Sequence, residues 1–261
     1  MPEETIYARA LRESLAAGRM SRDDAVLVVA GGPYDAATLR EAGFSNVVIS
    51  NLDTRMRADA FAPYGWSLQD AEALSHPDGA FDHVLVHAGL HHCRSPHRAL
   101  CEMMRVARRG VLVVESRDSL LMRLAVRLGL TAEHELEAVI GNGGDMGGVA
   151  NTGVPNFVYR WTEREVRKTV ESFDPARPAR LAFLYGLRLP LARLDAHHAP
   201  WKGAALRLAA GMALGLGRLF PRQGNLFAFH VDRTAPLHPW IREAPDGPRL
   251  DPEIVRIGRA A

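Results

Sequence analysis

Short apolar runs alternate with helix-like segments through the first half of the chain. The apolar runs lie at 25–30, 46–50, 81–89 and 111–116, and segments with helical spacing of apolar residues separate them. A strand that is apolar on both faces fits a sheet that is covered on both sides, and parallel strands need crossover helices. The sequence therefore predicts an α/β fold, with a mostly parallel sheet and helices on both faces.

The second half of the chain is less regular. Thr162 and Glu165 form a Thr-x-x-Glu capping box, which predicts the start of a helix, and apolar runs at 179–189 and 225–232 indicate two further strands. A glycine-rich segment, 141–156, precedes this helix and is predicted to be a loop. A loop of this length commonly closes over a site or is mobile. Its polar side chains are Asn142, Asp145, Asn151 and Asn156.

Composition and local patterns exclude several classes of protein. The 32 basic and 30 acidic residues give a formal charge of +2, which is no reason to expect a nucleic-acid partner. In the most membrane-like segment, 206–220, Arg207 and Arg218 bracket about ten apolar residues, too few to span a bilayer. The N-terminus lacks the apolar core of a signal peptide. We therefore expect a cytoplasmic protein without a transmembrane segment.

The stretch 68–105 resembles the middle of class I S-adenosylmethionine-dependent methyltransferases. It contains Asp-Ala-Glu before an apolar strand, Leu-His-His after that strand, and then a helix with Met and Arg-Val. The resemblance covers residues 20–118. It implies a Rossmann-like fold with a seven-stranded, mostly parallel sheet, flanking helices and an inserted helical segment.

The resemblance also implies how the chain is organised. We expect one methyltransferase domain over 1–261, with a cofactor-binding half and an acceptor-binding half. The expected divisions are 20–118 for the cofactor, 119–235 for the acceptor, including loop 141–156 and insert 195–224, and 236–261 for a C-terminal tail.

S-adenosylmethionine is the cofactor that the resemblance implies, with S-adenosylhomocysteine as the product. The turn after the first strand would pass under the cofactor, Asp53 or Asn51 would bind the ribose, and Asp70 would border the adenine. His87 would face the methionine end. The expected cofactor-binding residues are Ala30, Gly31, Gly32, Asp35, Asn51, Asp53, Asp70, Ala71 and His87.

Three positions depart from the family pattern. Val28 and Asn51 stand where the family usually has acidic residues, and Tyr34 stands in place of a third glycine. These departures leave open a Rossmann-like domain that binds a partner without catalysis.

Histidines dominate the region where the acceptor would lie. Removing a proton from an acceptor hydroxyl suits a histidine, and His87 and His91 are the predicted catalytic residues. His134 is a further candidate, and Glu115 ends a strand where it could line the acceptor pocket. No metal site is predicted, although the helical spacing of His91, Cys93, His97 and Cys101 would allow one.

We therefore expect methyl transfer to a small or glycan-like acceptor, on oxygen. Asn and Asp side chains in the loop would suit a sugar-containing molecule. The alternative acceptor is a lipid or a quinone-like molecule reached through the apolar insert. A homodimer is also expected, since burial against another subunit would explain that insert.

Overall fold

A computed structural model describes residues 4–188 and 219–260, together with 211, 215 and 217. In the described part of the chain, one large sheet carries helices on both faces, and a two-stranded hairpin lies near the C-terminus. The strands are β1 (Val26–Val28), β2 (Val47–Asn51), β3 (Gly65–Leu68), β4 (Phe81–His87), β5 (Ala107–Ser116), β6 (Arg180–Gly186), β7 (Leu226–Asp232), β8 (Ile241–Arg242) and β9 (Arg249–Leu250). The α-helices are α1 (Ile6–Ala16), α2 (Pro33–Glu41), α3 (Pro96–Val106), α4 (Leu120–Arg127), α5 (Leu136–Gly141), α6 (Glu163–Phe173) and α7 (Pro252–Ala260).

The seven strands of the large sheet have the order β3-β2-β1-β4-β5-β7-β6. Strands β1 to β5 run parallel to one another, and β7 is antiparallel to both β5 and β6. The predicted Rossmann-like fold is confirmed. The strand order reverses between β1 and β4, and open α/β sheets bind ligands beyond the carboxyl ends of the strands at such a point.

Alternate residues of each strand supply the two halves of the core. Val26 and Val28 pack with α1 and α2 on one face, whereas Leu27 and Val29 pack with α3 and α6 on the other. All four side chains are fully or almost fully buried. Burial on both faces explains why the strands read as continuous apolar runs.

One predicted boundary is wrong. The helical spacing between the apolar runs at 81–89 and 111–116 predicts a helix that reaches the second run and is stopped by Gly110, but α3 ends at Val106 and β5 begins at Ala107. Pairing decides this, because Ala107 lies opposite Phe81 of β4 in the parallel ladder. Gly110 is a strand residue at a point of close approach, where a Cβ would lie 2.8 Å from Nε2 of His230.

The capping box is confirmed. The Thr162 hydroxyl accepts a hydrogen bond from the Glu165 N–H at 3.2 Å, and the Glu165 carboxylate accepts one from the Thr162 N–H at 2.9 Å. Most of the predicted insert 195–224 lies outside the described residues. None of the helices in the described ranges is both long enough and apolar enough to cross a bilayer.

Candidate active site

The loops that follow β1 and β4 press against each other at the reversal point. Ala30 and Ala88 both adopt left-handed backbone, with φ of 49° and 51°. This conformation costs an L-residue about 1–2 kcal/mol, and such strain concentrates at functional sites. Gly89 allows the contact, since a Cβ there would lie 2.7 Å from the Ala30 Cβ. The two backbones can therefore approach a ligand closely.

A cleft of about 230 Å³ opens beside these loops. The carboxyl ends of the strands form one wall, and loop 141–156 forms the opposite wall. The predicted cofactor residues in the wall are Ala30, Asn51, Asp53, Asp70 and Ala71, and the loop contributes Asn142, Gly147, Gly148, Ala150 and Asn151.

Asp53 is tied to the loop through Arg55. The Arg55 guanidinium donates to the Asp53 carboxylate at 2.6 Å and to Oδ1 of Asn142 at 3.0 Å. This hydrogen bond from Arg55 lowers the pKa of Asp53. Asn51 is also engaged, because its amide donates to the Gly31 carbonyl and accepts from the Asp53 N–H. The Asp53 carboxylate is thus ionised and already paired.

The turn after β1 lies behind the cleft wall. The Gly31 N–H donates to the Ser50 carbonyl at 2.8 Å, and the Gly32 N–H donates to Oδ2 of Asp35 at 2.8 Å. Oδ1 of Asp35 is buried and has no hydrogen-bond partner, and it lies 3.5 Å from Nδ1 of His87.

His87 lies among two tyrosines and an aspartate on the α1 side of the sheet. We call this group the His87 cluster: Tyr7, Tyr34, Asp35 and His87. The His87 ring stacks in parallel on Tyr7, with 4.9 Å between ring centroids, and lies 5.2 Å from Tyr34. Neither His87 nor Asp35 is among the described residues that line the cleft.

His91 lies between two carboxylates. Its Nδ1 donates to Oε2 of Glu115 at 2.9 Å, and its Nε2 lies 3.4 Å from Oε2 of Glu135. Glu115 is fully buried and also accepts a hydrogen bond from the Leu90 N–H at 2.7 Å. Burial opposes a charge on His91, but the two carboxylates outweigh it and raise the pKa of His91 to about 10.

His92 and Glu135 complete this group, which we call the His91 cluster: His91, His92, Glu115 and Glu135. Nε2 of His92 lies 3.5 Å from Oε2 of Glu135, and His92 lines the cleft. Burial and the neighbouring His91 lower the pKa of His92. The nearby His91, 3.4 Å away, and the charge of His92 lower the pKa of Glu135 to about 2.

Sequence reasoning did not single out Glu135 or His92. Glu135 reaches the cluster because its N–H donates to the Asn156 carbonyl at 3.0 Å, next to a bridge between His134 and Phe157. Glu135 is one of three acids in the segment AEHELE, and no local signal distinguishes it from the other two. His134 itself is exposed and packs edge-on against Phe157.

The other residues of the helically spaced set have different neighbours. His97 packs against Tyr159 and Trp161. Burial raises the pKa of Cys93 to about 12, so its thiol stays protonated. Within the described residues, the group close enough to hold an ion is instead His91, His92 and Glu135.

Known proteins resemble the chain in family and in fold. Residues 28–114 match the model of the family described as methyltransferase domain. A sequence search of curated proteins found no match.

Three solved structures share the fold. A methyltransferase from Haloferax volcanii, solved with the Trm112 methyltransferase activator, is 13% identical, with 87% of this chain and 88% of that chain covered and a TM-score of 0.54. A protein from Bacillus halodurans described as a methyltransferase is 14% identical over 85% of this chain and 98% of that chain, with a TM-score of 0.53. The YcgJ protein of Bacillus subtilis is 12% identical over 87% and 99%, with a TM-score of 0.52.

At such low identities, the structural likeness establishes the fold alone. The family match covers the strand ends on one side of the cleft but not loop 141–156, and the sheet has the expected seven strands. Residues 28–114, a third of the chain, thus carry a methyltransferase domain, and the sheet has the fold of the class I methyltransferases, whose methyl donor is S-adenosylmethionine.

Proposed function

We propose that the enzyme methylates an oxygen of a small hydroxylated acceptor, such as a sugar-containing molecule. The observation that carries this proposal is the position of the His91 cluster, whose His92 forms part of the cleft wall. Imidazole and carboxylate groups bind a hydroxyl by hydrogen bonds and can take its proton. A thiol acceptor, which ionises more readily than a hydroxyl, would have less need of such a group.

The residues around the cleft fit the cofactor. S-adenosylmethionine carries a sulfonium, an ammonium and a ribose diol, all of which favour carboxylate partners. Asp53 and Asp70 supply carboxylates in the cleft wall, and Asp35 has a buried oxygen without a hydrogen-bond partner beside the glycine turn. This supply of acceptors supports the proposed roles of all three residues.

Loop 141–156 narrows the cleft. Its volume of about 230 Å³ is below the range of roughly 300–1,000 Å³ that is usual for ligand sites. Asn142, Gly147 and Gly148 stand in the wall, and Arg55 holds Asn142. We expect the loop to move outward when the cofactor binds, with the ribose replacing Arg55 at Asp53.

The reaction needs alignment more than covalent help. When bound, S-adenosylmethionine supplies an electrophilic methyl group, which an acceptor oxygen can attack in line. In our proposal Asp53 binds the ribose and Asp70 accepts from the adenine amine. Glu135 orients the acceptor hydroxyl and the neutral His92 ring receives its proton, while Glu115 holds the His91 ring in place.

Calorimetric titration with S-adenosylhomocysteine tests the cofactor site. We expect micromolar binding by the parent and weaker binding by Asp70→Ala, with Asp59→Ala as the control because Asp59 is exposed and pairs with the exposed Arg57. No binding by a folded parent protein would contradict the assigned cofactor site.

Acceptor screening tests the oxygen assignment. Phenols, sugars, amines and thiols would be incubated with enzyme and cofactor, and products detected by the mass of one added methyl group. Methylated hydroxyl compounds are expected. Turnover confined to amines or thiols would show that the oxygen assignment is wrong.

A second candidate is an apolar acceptor of lipid or quinone type. Helix α4 buries none of its residues, and Leu120, Leu124 and the following Leu128 are more than half exposed. Such a face suits an apolar molecule or a lipid surface. Vesicle-borne acceptors should then be methylated faster by the parent than by Leu124→Gln, with the exposed Leu250→Gln as the control. Equal rates would exclude a role for this face.

A further inference from the structure

Three potential metal ligands converge from two separate parts of the chain. His91 and His92 follow β4, and Glu135 precedes α5. One ligand atom from each lies within 4.8 Å of the other two. Two imidazoles and a carboxylate are the protein ligands of many catalytic zinc sites, which keep a fourth position open.

The spacing fits a shared ion better than direct hydrogen bonds. Oε2 of Glu135 lies 3.4 Å from Nε2 of His91 and 3.5 Å from Nε2 of His92. Charge-assisted hydrogen bonds are shorter, at about 2.7–2.9 Å. Ligands placed tetrahedrally at zinc distances of about 2.0–2.2 Å would lie about 3.3–3.5 Å from one another. By contrast, His91 and Glu115 are in direct contact at 2.9 Å.

Glu115 and Asn156 act as a supporting layer. Glu115 binds Nδ1–H of His91, which directs Nε2 of that ring toward Glu135 and His92. A carboxylate behind a ligating histidine is the usual way of fixing its tautomer and orientation. The Asn156 amide donates to Oε2 of Glu135 at 3.4 Å, on the other side of the cluster.

An ion could reach this point and keep an open position. The side chains of His92 and Glu135 are 32% and 38% exposed, and His92 lines the cleft. The buried members, His91 and Glu115, lie behind them. The fourth position of an ion would therefore face solvent or a molecule in the cleft.

From this geometry we infer that His91, His92 and Glu135 bind a divalent transition-metal ion, with Glu115 as the positioning residue for His91. The donor set of two imidazoles and one carboxylate favours zinc or a similar metal over magnesium, which prefers oxygen ligands. If the proposed oxygen methylation is right, the ion would bind the acceptor hydroxyl at its open position. The metal site itself does not depend on that role.

Zinc and cobalt titrations test the site on the full chain. The protein would be stripped with a chelator, dialysed and titrated with Zn²⁺ by calorimetry, and with Co²⁺ by visible absorption. We expect one ion per chain and cobalt bands of a four- or five-coordinate site. Mg²⁺ is expected to bind far more weakly. A folded protein that binds neither zinc nor cobalt would overturn the inference.

Matched variants locate the ion. We expect His92→Gln and Glu135→Gln to weaken zinc binding about 100-fold or more, and Glu115→Gln about 10–100-fold, as second-layer changes do. The controls are the exposed neighbours His134→Gln and Glu133→Gln, which should bind zinc like the parent. Equal affinity in His92→Gln, whose side chain is partly exposed and whose folding can be checked by thermal unfolding, would place the ion elsewhere.

Titration of the same samples with S-adenosylhomocysteine separates this inference from the proposed function. Cofactor binding without zinc binding would refute the metal site and leave the cofactor site intact. Zinc binding without cofactor binding would support the metal site and refute the proposed function. The absence of both in a folded protein would refute both.

Discussion

The two histidines predicted to be catalytic lie four residues apart, yet their surroundings differ in kind. His87 ends β4 and stacks on Tyr7, with Asp35 at 3.5 Å. His91 lies in the turn that follows and contacts Glu115 directly, with Glu135 on its other side. An aromatic neighbourhood holds the first ring, whereas an ionic one holds the second. Neighbours from distant parts of the chain, not the histidine itself, decide what each ring can do.

The largest expected difference between the His91 cluster and the His87 cluster is in how much each stabilises the folded state. We expect Glu115→Gln to lower the free energy of unfolding by about 3 kcal/mol or more, because it leaves a buried histidine without its ionic partner. Asp35→Asn should cost only about 1 kcal/mol, since Asp35 and His87 are not in hydrogen-bond contact. Urea denaturation of the three proteins would measure both. Equal losses would show that the two clusters do not differ in strength.

Another histidine, which is buried, extends the comparison to a ring without a contacting carboxylate among the described residues. His230 lies at the other end of the sheet, and burial lowers its pKa from 6.5 to about 4. The charged and titratable groups that affect its pKa are His83, Arg19 and Asp232. Arg109 and Arg180 also line the surface pocket in which His230 lies. The folded state therefore binds fewer protons than the unfolded state, and stability falls as pH drops from 6.5 toward 4.

At pH 5 this difference amounts to about 2 kcal/mol. Replacing His230 by Gln should remove that much of the acid-induced loss of stability between pH 7 and pH 5. Urea denaturation at both pH values would measure the effect. The same acid-induced loss in parent and variant would mean that other groups cause it.

The next effect separates the cofactor wall from the His91 cluster. We expect Asp53→Asn to weaken S-adenosylhomocysteine binding about tenfold, which corresponds to about 1.4 kcal/mol. Glu135→Gln, in the His91 cluster, should change that affinity less than twofold, and Asp59→Asn serves as the control for charge. Calorimetry would give all three values. A larger loss in Glu135→Gln than in Asp53→Asn would reverse our assignment of the cofactor and acceptor groups.

The smallest effect concerns loop 141–156, which forms part of the cleft wall. Asn142→Ala removes the loop's contact with Arg55 and a hydrogen bond to the Ala138 carbonyl. We expect a change of at most about 1 kcal/mol in local stability, seen as faster amide hydrogen exchange in 141–156. Asn46→Ala, at an exposed position after α2, is the control. Unchanged exchange would mean that other contacts hold the loop.

Much of the fold was predictable because its signals are local. The apolar strands and the capping box at Thr162 are each recognisable from a few neighbouring residues. The start of β5 was not predictable in this way, because Ala107 suits a helix and only its pairing with Phe81 makes it a strand residue. Edge strand β3 pairs with β2 alone and is only partly buried, so it lacks the apolar run that identifies the others.

The site was predictable on one side only. Ala30, Asn51 and Asp70 lie at strand ends, and a parallel sheet brings such ends to one edge. Glu135 reaches His91 only through the pairing of its segment with Asn156, a contact that no local pattern encodes. The hydrogen bond from Arg55 to Asp53 joins near neighbours in the sequence. It was still not predictable, because either side chain could have faced solvent instead.

Loop 141–156 is fastened at both ends to groups that we assign to different substrates. Near its start Asn142 meets Arg55, the partner of Asp53, and at its end Asn156 meets Glu135. The loop therefore contacts both the groups that we assign to the cofactor and those that we assign to the acceptor. Its position bears on the order in which the two substrates bind and the products leave. We expect cofactor to bind before acceptor and S-adenosylhomocysteine to leave last. In steady-state kinetics, S-adenosylhomocysteine would then inhibit competitively against S-adenosylmethionine and non-competitively against the acceptor.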